Sequence, residues 1–377
     1  MNNYSNLIRK LHTISFHIYG TGIVGISVYT ALKEQYGVTP VSFLVTTGEG
    51  NPSQIEQIPV QEAAGAFLDE KLILVAAPVE HHKAIGATLA DLGVSENQII
   101  YVDSVLENWI MGDYYASLPD FDTAGEYLGD RKISSEPGSS RGERAGHDQA
   151  DIRIYQAKCH VDRPLMNAVE LSDCICPIQV GAELTEQSVA ELKDNIGEHI
   201  SQKNRDYCEL TATYYAWKNS EAAYKGLCHY RRVFELSTTE LETIFGSGTV
   251  DVILPYPTIH LPDIRRQHSR YITEPEWQAM RQAVEECEPA YAADFDRVFS
   301  EKYFYNFNML VAKAEVFDDY ARWLFGILER TEEIIAEKGI ITTKRYAGYL
   351  GENLTTLYFR KNRDGLKMVH VGRIHFE

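Results

Sequence analysis

The sequence predicts an α/β protein of two domains joined by a polar linker, and three observations predict it. Short apolar runs alternate with helical stretches up to about residue 125. A tract at 126–150, EYLGDRKISSEPGSSRGERAGHDQA, has almost no apolar content. A second set of apolar runs and amphipathic stretches then fills 151–377. Strands alternating with helices imply a parallel, doubly wound sheet. The polar tract cannot bury enough surface to offset its ordering entropy, so it reads as a flexible linker. A chain of 377 residues is long for one core and comfortable for two, since domains usually run about 100–200 residues.

The first domain, 1–125, opens with ISFHIYGTGIVG, an apolar strand running into Gly20-x-Gly22-x-x-Gly25. The helical stretch ISVYTALKEQYG follows, with Gly37 as its C-cap. The runs VSFLV to residue 45, KLILVAAP (71–78) and IIYVD (99–103) read as strands, and HHKAIGATLADLG as a helix. Together these describe a small Rossmann-like domain. Such a glycine turn usually seats a pyrophosphate at a helix N-terminus. A dinucleotide site also wants an acidic residue at the end of the second strand, and here that strand ends in Thr46-Thr47. Gly20, Gly22 and Gly25 are therefore weak cofactor-binding candidates, and they support the fold better than they support NAD.

The second domain, 151–377, begins with the strand DIRIYQA. Its further strands are GLCHY (226–230), VDVILPY (250–256) and FNMLVA (307–312). YCELTATYYAWKN, PEWQAMRQAVEECE, EVFDDYARWLFGILERTEEI and GYLGENLTTLYF read as helices, the second behind a Thr273-x-x-Glu276 capping box.

Composition excludes several classes. Lys+Arg 36 against Asp+Glu 54 gives a net charge of −18, which repels phosphate backbones and argues against a nucleic-acid binder. No run of about 18 apolar residues is present, so no bilayer span is expected, and the first residues lack a signal-peptide pattern. The six cysteines all lie after residue 158 without paired metal-ligand spacing; they read as reduced thiols of a cytoplasmic chain with at most peripheral membrane contact.

The densest polar stretch lies at 194–234. Asp194, Asn195, Ser201 and Asn204 fall in one loop, a helix carrying Glu209, Thr211 and Trp217 follows, and a strand ends in His229-Tyr230-Arg231-Arg232. Side-chain alternation on a strand would put His229 and Arg231 on one face and Tyr230 and Arg232 on the other. A His and an Arg at a strand's carboxyl end suit an anionic ligand, because Arg presents a fixed fork of donors to phosphate oxygens. Trp217 and Trp323 sit in apolar helical stripes and read as core before sugar platforms. An isolated HYRR is as well explained by surface ion pairs and a structural histidine.

It is not isolated. DNIGEHISQKN-x-x-YCELTATYYAWKN, GLCHYRRVF, DVILP, YNFNMLVAKAEVFDDYARWLFGILE and Arg345-x-x-Gly348-Tyr349-x-x-Glu352, in that order, resemble the glycosyltransferases of bacterial capsular and exopolysaccharide clusters catalogued as domain of unknown function 4422. The resemblance covers roughly 152–375. The departures are His199 where the family usually has Asn, Tyr215 where Trp is usual, and Asn353 where Arg often follows the glutamate. What the resemblance implies is a GT-A-like second domain that moves a sugar from a nucleotide diphosphate donor, with UDP-galactofuranose a candidate, to a hydroxyl of a lipid-linked or growing glycan.

On that reading the catalytic candidates are Glu352 as base, with Asp318 or Asp319 as the next choice, and Arg231 helped by His229 as stabiliser of the leaving diphosphate in an inverting transfer. Tyr155, Ala157, Asp194, Asn195, Ser201, Asn204 and Glu209 are the donor-binding candidates, and Arg232, Asn308 and Arg345 are further substrate-binding candidates. Glu209 and Thr211 have helix capping as their alternative role. Most GT-A enzymes hold a divalent metal on Asp-x-Asp. Here the corresponding block is His229-Tyr230-Arg231, while Asp120/Asp122 and Asp294/Asp296 lie elsewhere, so no metal set is assigned. The competing readings are an NAD-dependent oxidoreductase, a non-catalytic scaffold of polysaccharide assembly, and a phosphotransferase.

Overall fold

A computed structural model describes residues 3–129, 151–165, 171–268 and 270–376. Of the expected linker, 130–150 lies outside the described residues. The chain forms two compact units, one made of residues up to 120 with 258–262, the other of 121–257 with 263–376.

The first unit is a six-stranded sheet in the order Gln54–Ile55, Ile58–Glu62, Ser42–Val45, Phe16–Tyr19, Leu72–Val75, Ile99–Tyr101. All pairs are parallel except that of Gln54–Ile55 with its neighbour. The three central strands are wholly buried, as strands covered on both faces require. Helix Ile23–Tyr36 follows the glycine turn and ends at Gly37, whose φ of 67° closes the helix through backbone bonds to Leu32 and Lys33. Helix Ser104–Ala116, capped by Asp103, is not among the elements read from the sequence. The returning segment is tied to helix Ile23–Tyr36 by the Ile259 N–H, which donates to Ser27 Oγ at 3.1 Å.

The second unit is a mixed sheet. Its order is Leu192–Lys193, Ile175–Gln179, Ile152–Lys158, Tyr224–His229, Leu310–Lys313, Val252–Pro255, Met368–Val371, Asp122–Thr123; Arg232–Phe234 pairs with Tyr224–His229 and with Arg373–His375. The 310–313 strand runs antiparallel to both neighbours. Its amino end therefore lies at the edge where 152–158 and 224–229 have their carboxyl ends. The expected strand from 307 starts only at 310 because Phe307 and Asn308 take φ of 72° and 52°, which turns the chain before it enters the sheet. The boundary expected at 125 falls earlier. Asp122–Thr123 pairs with 368–371, and Ala124 and Leu128 of the helix Ala124–Leu128 are buried in the second core.

One face of this sheet is covered by helices Leu210–Asn219, Ala314–Lys338 and Tyr346–Lys361, around Leu227, Leu324 and Phe359. The other carries Ala124–Leu128 and Thr238–Gly246, around Cys228 and Phe245. The expected capping box forms: Thr273 Oγ1 accepts from the Glu276 N–H, and Glu276 Oε2 accepts from the Thr273 N–H at 2.6 Å. Among the described residues no helix is long and apolar enough to cross a membrane.

Candidate functional site

The carboxyl edge of the second sheet is shaped by a reversal of the chain. The 224–229 strand turns at Tyr230 and Arg231 and returns as Arg232–Phe234, with His229 directly opposite Arg232. Directly opposed residues of an antiparallel pair share a face. His229 therefore shares its face with Arg232, which corrects the pairing of His229 with Arg231 expected from uninterrupted alternation. Arg231 turns instead toward the strand 373–375, where its Nη2 lies 3.2 Å from His375 Nε2.

On the His229 face two carboxylates meet. Glu352, buried on the 346–361 helix, accepts from the Phe307 N–H through Oε1 at 2.9 Å. Glu209, also buried, accepts from Asn308 Nδ2 at 2.8 Å; that amide also donates to the Gly348 carbonyl at 3.2 Å. The turn at Phe307 and Asn308 thus presents a backbone N–H to one carboxylate and a side-chain amide to the other. Burial, then the Glu209 charge, push the Glu352 carboxyl up to about 8, against the pull of the Phe307 bond, Arg345 and Arg232. His229 Nε2 lies 2.6 Å from the Phe307 carbonyl. A carbonyl only accepts, so Nε2 carries the proton. Burial, only partly offset by the Glu209 charge, lowers the His229 pKa and favours the neutral ring.

Cations flank the pair. The Arg232 guanidinium lies 4.4 Å from the Phe307 ring centroid and that of Arg373 5.2 Å. Arg345, in the left-handed region at φ 64°, donates from Nε to Cys208 Sγ at 3.1 Å. Burial and Glu209 push the Cys208 thiol up to about 12.

Beyond the end of the 152–158 strand lies a cavity of about 410 Å³, lined among others by Gln156, Lys158, His160, Asp162, Arg163 and Tyr230. Burial raises the Asp162 pKa, while the Cys159 N–H bond and then the charges of Lys158, Arg345 and Arg231 act against the rise. Asp162 is thus within electrostatic reach of three cations.

The structure divides the residues expected to bind or react. It brings His229, Arg232, Glu352, Glu209, Asn308 and Arg345 together. Asp194 does not face a ligand: it is fully buried and accepts from the N–H groups of Gly181 (2.8 Å) and Ala182 (3.1 Å) and from Ser201 Oγ (2.5 Å). With its Ser201 partner it clamps two loops, which corrects the donor contact expected of both. Asn204 Nδ2 donates to the Cys208 carbonyl at 2.7 Å, and Asn195 Nδ2 to Glu183 at 3.1 Å. Tyr155 and Ala157 point into the core, Tyr155 edge-on to Tyr215 at 5.7 Å. It is their alternate neighbours Gln156 and Lys158 that reach the cavity.

The second-choice bases are engaged elsewhere: Asp318 holds the buried Lys225 at 2.8 Å, and Asp319 pairs with exposed Arg322. The Glu209 side chain makes no cap bond and serves the site instead. Trp217 stacks on Phe325 at 5.9 Å and packs against the core, and Trp323, within the core, lies tilted against Tyr291 at 4.7 Å. Asp296 is held by Arg281, and Asp294 by Arg297 and Lys361. Among the described residues no group of three His, Cys, Asp or Glu is placed to hold a metal. Gln156, Lys158, His160, Asp162 and Tyr230 were not singled out as ligand-facing from sequence; strand alternation around Ala157 is the signal that finds the first two.

In the first unit Gly20 and Gly25 answer to packing. A Cβ on Gly20, at φ 121°, would lie 2.5 Å from the Ala76 carbonyl oxygen, and one on Gly25 would lie 2.1 Å from that of Gly20. Gly22, the helix N-cap, has open space around it. Thr21 Oγ1 donates to Asn51 Oδ1 at 2.5 Å, and Tyr19 OH lies 2.9 Å from Thr46 Oγ1.

Comparison with other proteins gives a family. Among solved structures the chain is similar to the apo structure of the bifunctional glycosyltransferase WbbM, at 28% identity and a TM-score of 0.49, over 60% of this chain and 45% of that one. The match therefore spans less than half of that protein's length. No curated protein matches the chain. Residues 158–363, more than half of the chain, match the family described as Domain of unknown function (DUF4422), and the chain belongs to that family.

Proposed function

We propose that the protein is a glycosyltransferase acting at the carboxyl edge of the second sheet, with Glu352 as the base that takes the acceptor proton. One observation carries the reading: a buried carboxyl pushed up to about 8 stands beside a second carboxylate and two guanidinium groups, at the edge where open α/β sheets bind ligands. Perturbed carboxylates of this kind gather at functional sites. The family resemblance of the blocks at 194–234 and 305–352 supports the same class.

The cavity at Gln156, Lys158 and Tyr230 takes the donor nucleotide; its 410 Å³ falls in the range of small-ligand sites, roughly 300–1,000 Å³. Lys158, Arg231 and Arg345 face the diphosphate. The acceptor hydroxyl oxygen forms its bond to the anomeric carbon as the bond from that carbon to the diphosphate oxygen breaks. The electron pair leaves with the nucleoside diphosphate, and the proton passes to Glu352. Attack opposite the leaving group inverts the anomeric centre. Glu209 and Asn308 position Glu352 and the turn that supports it. The finer assignment is a UDP-sugar donor, with UDP-galactofuranose first to test, and a lipid-linked or growing cell-surface glycan acceptor in capsule or exopolysaccharide synthesis.

Melting curves with a panel of nucleotide sugars identify the donor, because a selective ligand raises the melting temperature by mass action. Product formation with that donor is the expected result, and a panel without any shift or turnover overturns the reading. Arginine-based stabilisation of the leaving group predicts turnover that survives EDTA. Loss with EDTA and recovery with manganese would refute that part.

A further inference from the structure

We infer that Tyr271 and Tyr349 form a stacking platform for a sugar ring of the acceptor glycan, beside Glu352. The inference rests on the proposed transfer only in calling that sugar the acceptor. The two rings lie 5.3 Å apart at an interplanar angle of 30°, and Tyr271 is 40% exposed. An exposed tyrosine beside a second ring offers a broad face with one apolar and one polar side, suited to a sugar whose C–H groups and hydroxyls point in different directions.

Both residues are held in place. Tyr349 sits one turn before Glu352 on the 346–361 helix, so their side chains are neighbours on one helix surface. The Glu352 and Arg345 charges both act on the Tyr349 hydroxyl, and the Arg345 guanidinium lies 5.8 Å from its ring centroid. Tyr271 is anchored by its buried neighbour Ile272, and its carbonyl accepts from Thr343 Oγ1 at 3.4 Å. Thr343 is fastened in turn by fully buried Glu276, whose Oε1 accepts from the Thr343 N–H at 2.5 Å and from its hydroxyl at 3.0 Å. The capping glutamate of the helix Glu274–Cys287 thereby joins the Tyr271 loop to the segment that leads into Arg345 and Tyr349. A tilted, partly solvent-facing aromatic pair, one ring of which sits one helical turn from a base, is placed to hold the sugar whose hydroxyl that base would deprotonate.

Saturation-transfer NMR on the full chain, with methyl β-galactopyranoside, methyl β-glucopyranoside and methyl α-mannopyranoside as probes, tests the platform. At least one glycoside should receive saturation. Its binding should weaken roughly three- to tenfold in Tyr271→Ala and in Tyr349→Leu, the range of one aromatic contact, and be kept in Tyr271→Phe, which retains the ring. Melting curves establish that each variant is folded; Tyr271→Phe and Tyr271→Ala, at an exposed position, keep the test valid if Tyr349→Leu is not. No saturation of any glycoside, or undiminished binding in folded Tyr271→Ala, overturns the inference. Tyrosine-dependent glycoside binding in a protein that turns over no nucleotide sugar would leave the platform standing and remove the proposed transfer.

Discussion

The two units each end a set of parallel strands in a turn, and the two turns gather different polar groups. In the first, Gly20 and Gly25 sit against backbone oxygens, Gly22 has open space around it, and Thr21 and Tyr19 are bonded to Asn51 and Thr46. In the second, a hairpin and a positive-φ turn bring two carboxyl groups, a histidine and several guanidinium groups to one edge. A sequence motif marks where a chain must turn tightly. Whether the turn is also a site depends on which polar groups remain after the fold has satisfied its own.

The contrast is broken most directly by Glu352→Gln. Turnover should fall about 10²–10⁴-fold, the usual contribution of a positioned base, while Gly22→Ala, in open space, should leave it unchanged. Steady-state kinetics on both variants check this, and near wild-type turnover in Glu352→Gln ends the assignment. In the wild type kcat/KM should rise with pH through about 8, as Glu352 loses its proton.

The same carboxyl should leave a mark on stability. Its folded pKa is raised above the ordinary glutamate value of 4.5 to about 8, so its contribution is fully present below about 4.5 and is lost as pH rises toward 8. The loss should be on the order of 2–5 kcal/mol. Calorimetry from pH 5 to pH 9 should show the wild type losing stability across that window, with a flatter profile for Glu352→Gln.

For the first unit, Gly25→Ala forces a Cβ against the Gly20 carbonyl and should cost about 2 kcal/mol or more, measured by denaturant titration. An equal cost for Gly22→Ala would mean that the turn is not closed as described. The smallest effect sharpens the second edge. Arg232 lowers the Glu352 pKa, so Arg232→Met should move the midpoint of the pH–rate profile upward by roughly half a unit. A downward shift would place Arg232 away from the carboxylate pair.

Much of the fold is legible in the residues. The strands at 16–19, 42–45, 72–75, 152–158 and 252–255 are apolar runs bounded by polar or turn residues, and Gly37 and the Thr273–Glu276 box end or start their helices where the chemistry requires. The strand at 122–123 is a pair of residues whose place comes from the neighbouring strand at 368–371, so no local pattern announces it. The site is legible in part. His229, Glu209, Asn308 and Glu352 stand out by type and context, but Asp194 and Ser201 look equally polar in sequence and are used up inside a loop clamp. The turn at Tyr230 and Arg231 reverses the strand, and with it the partner of His229.

Alternating apolar runs, caps and turn residues settled the α/β class and the positions of most elements, because each is a local contest between backbone geometry and side-chain burial. Pairing across the sheet is a different matter. It joins residues 45 to 143 positions apart, such as Asn308 with Glu209 and Glu352 with the Phe307 backbone, through contacts that exist only once the sheet order is set. Which carboxyl is buried beside another charge, and which arginine stands next to it, was therefore decided by the tertiary structure alone.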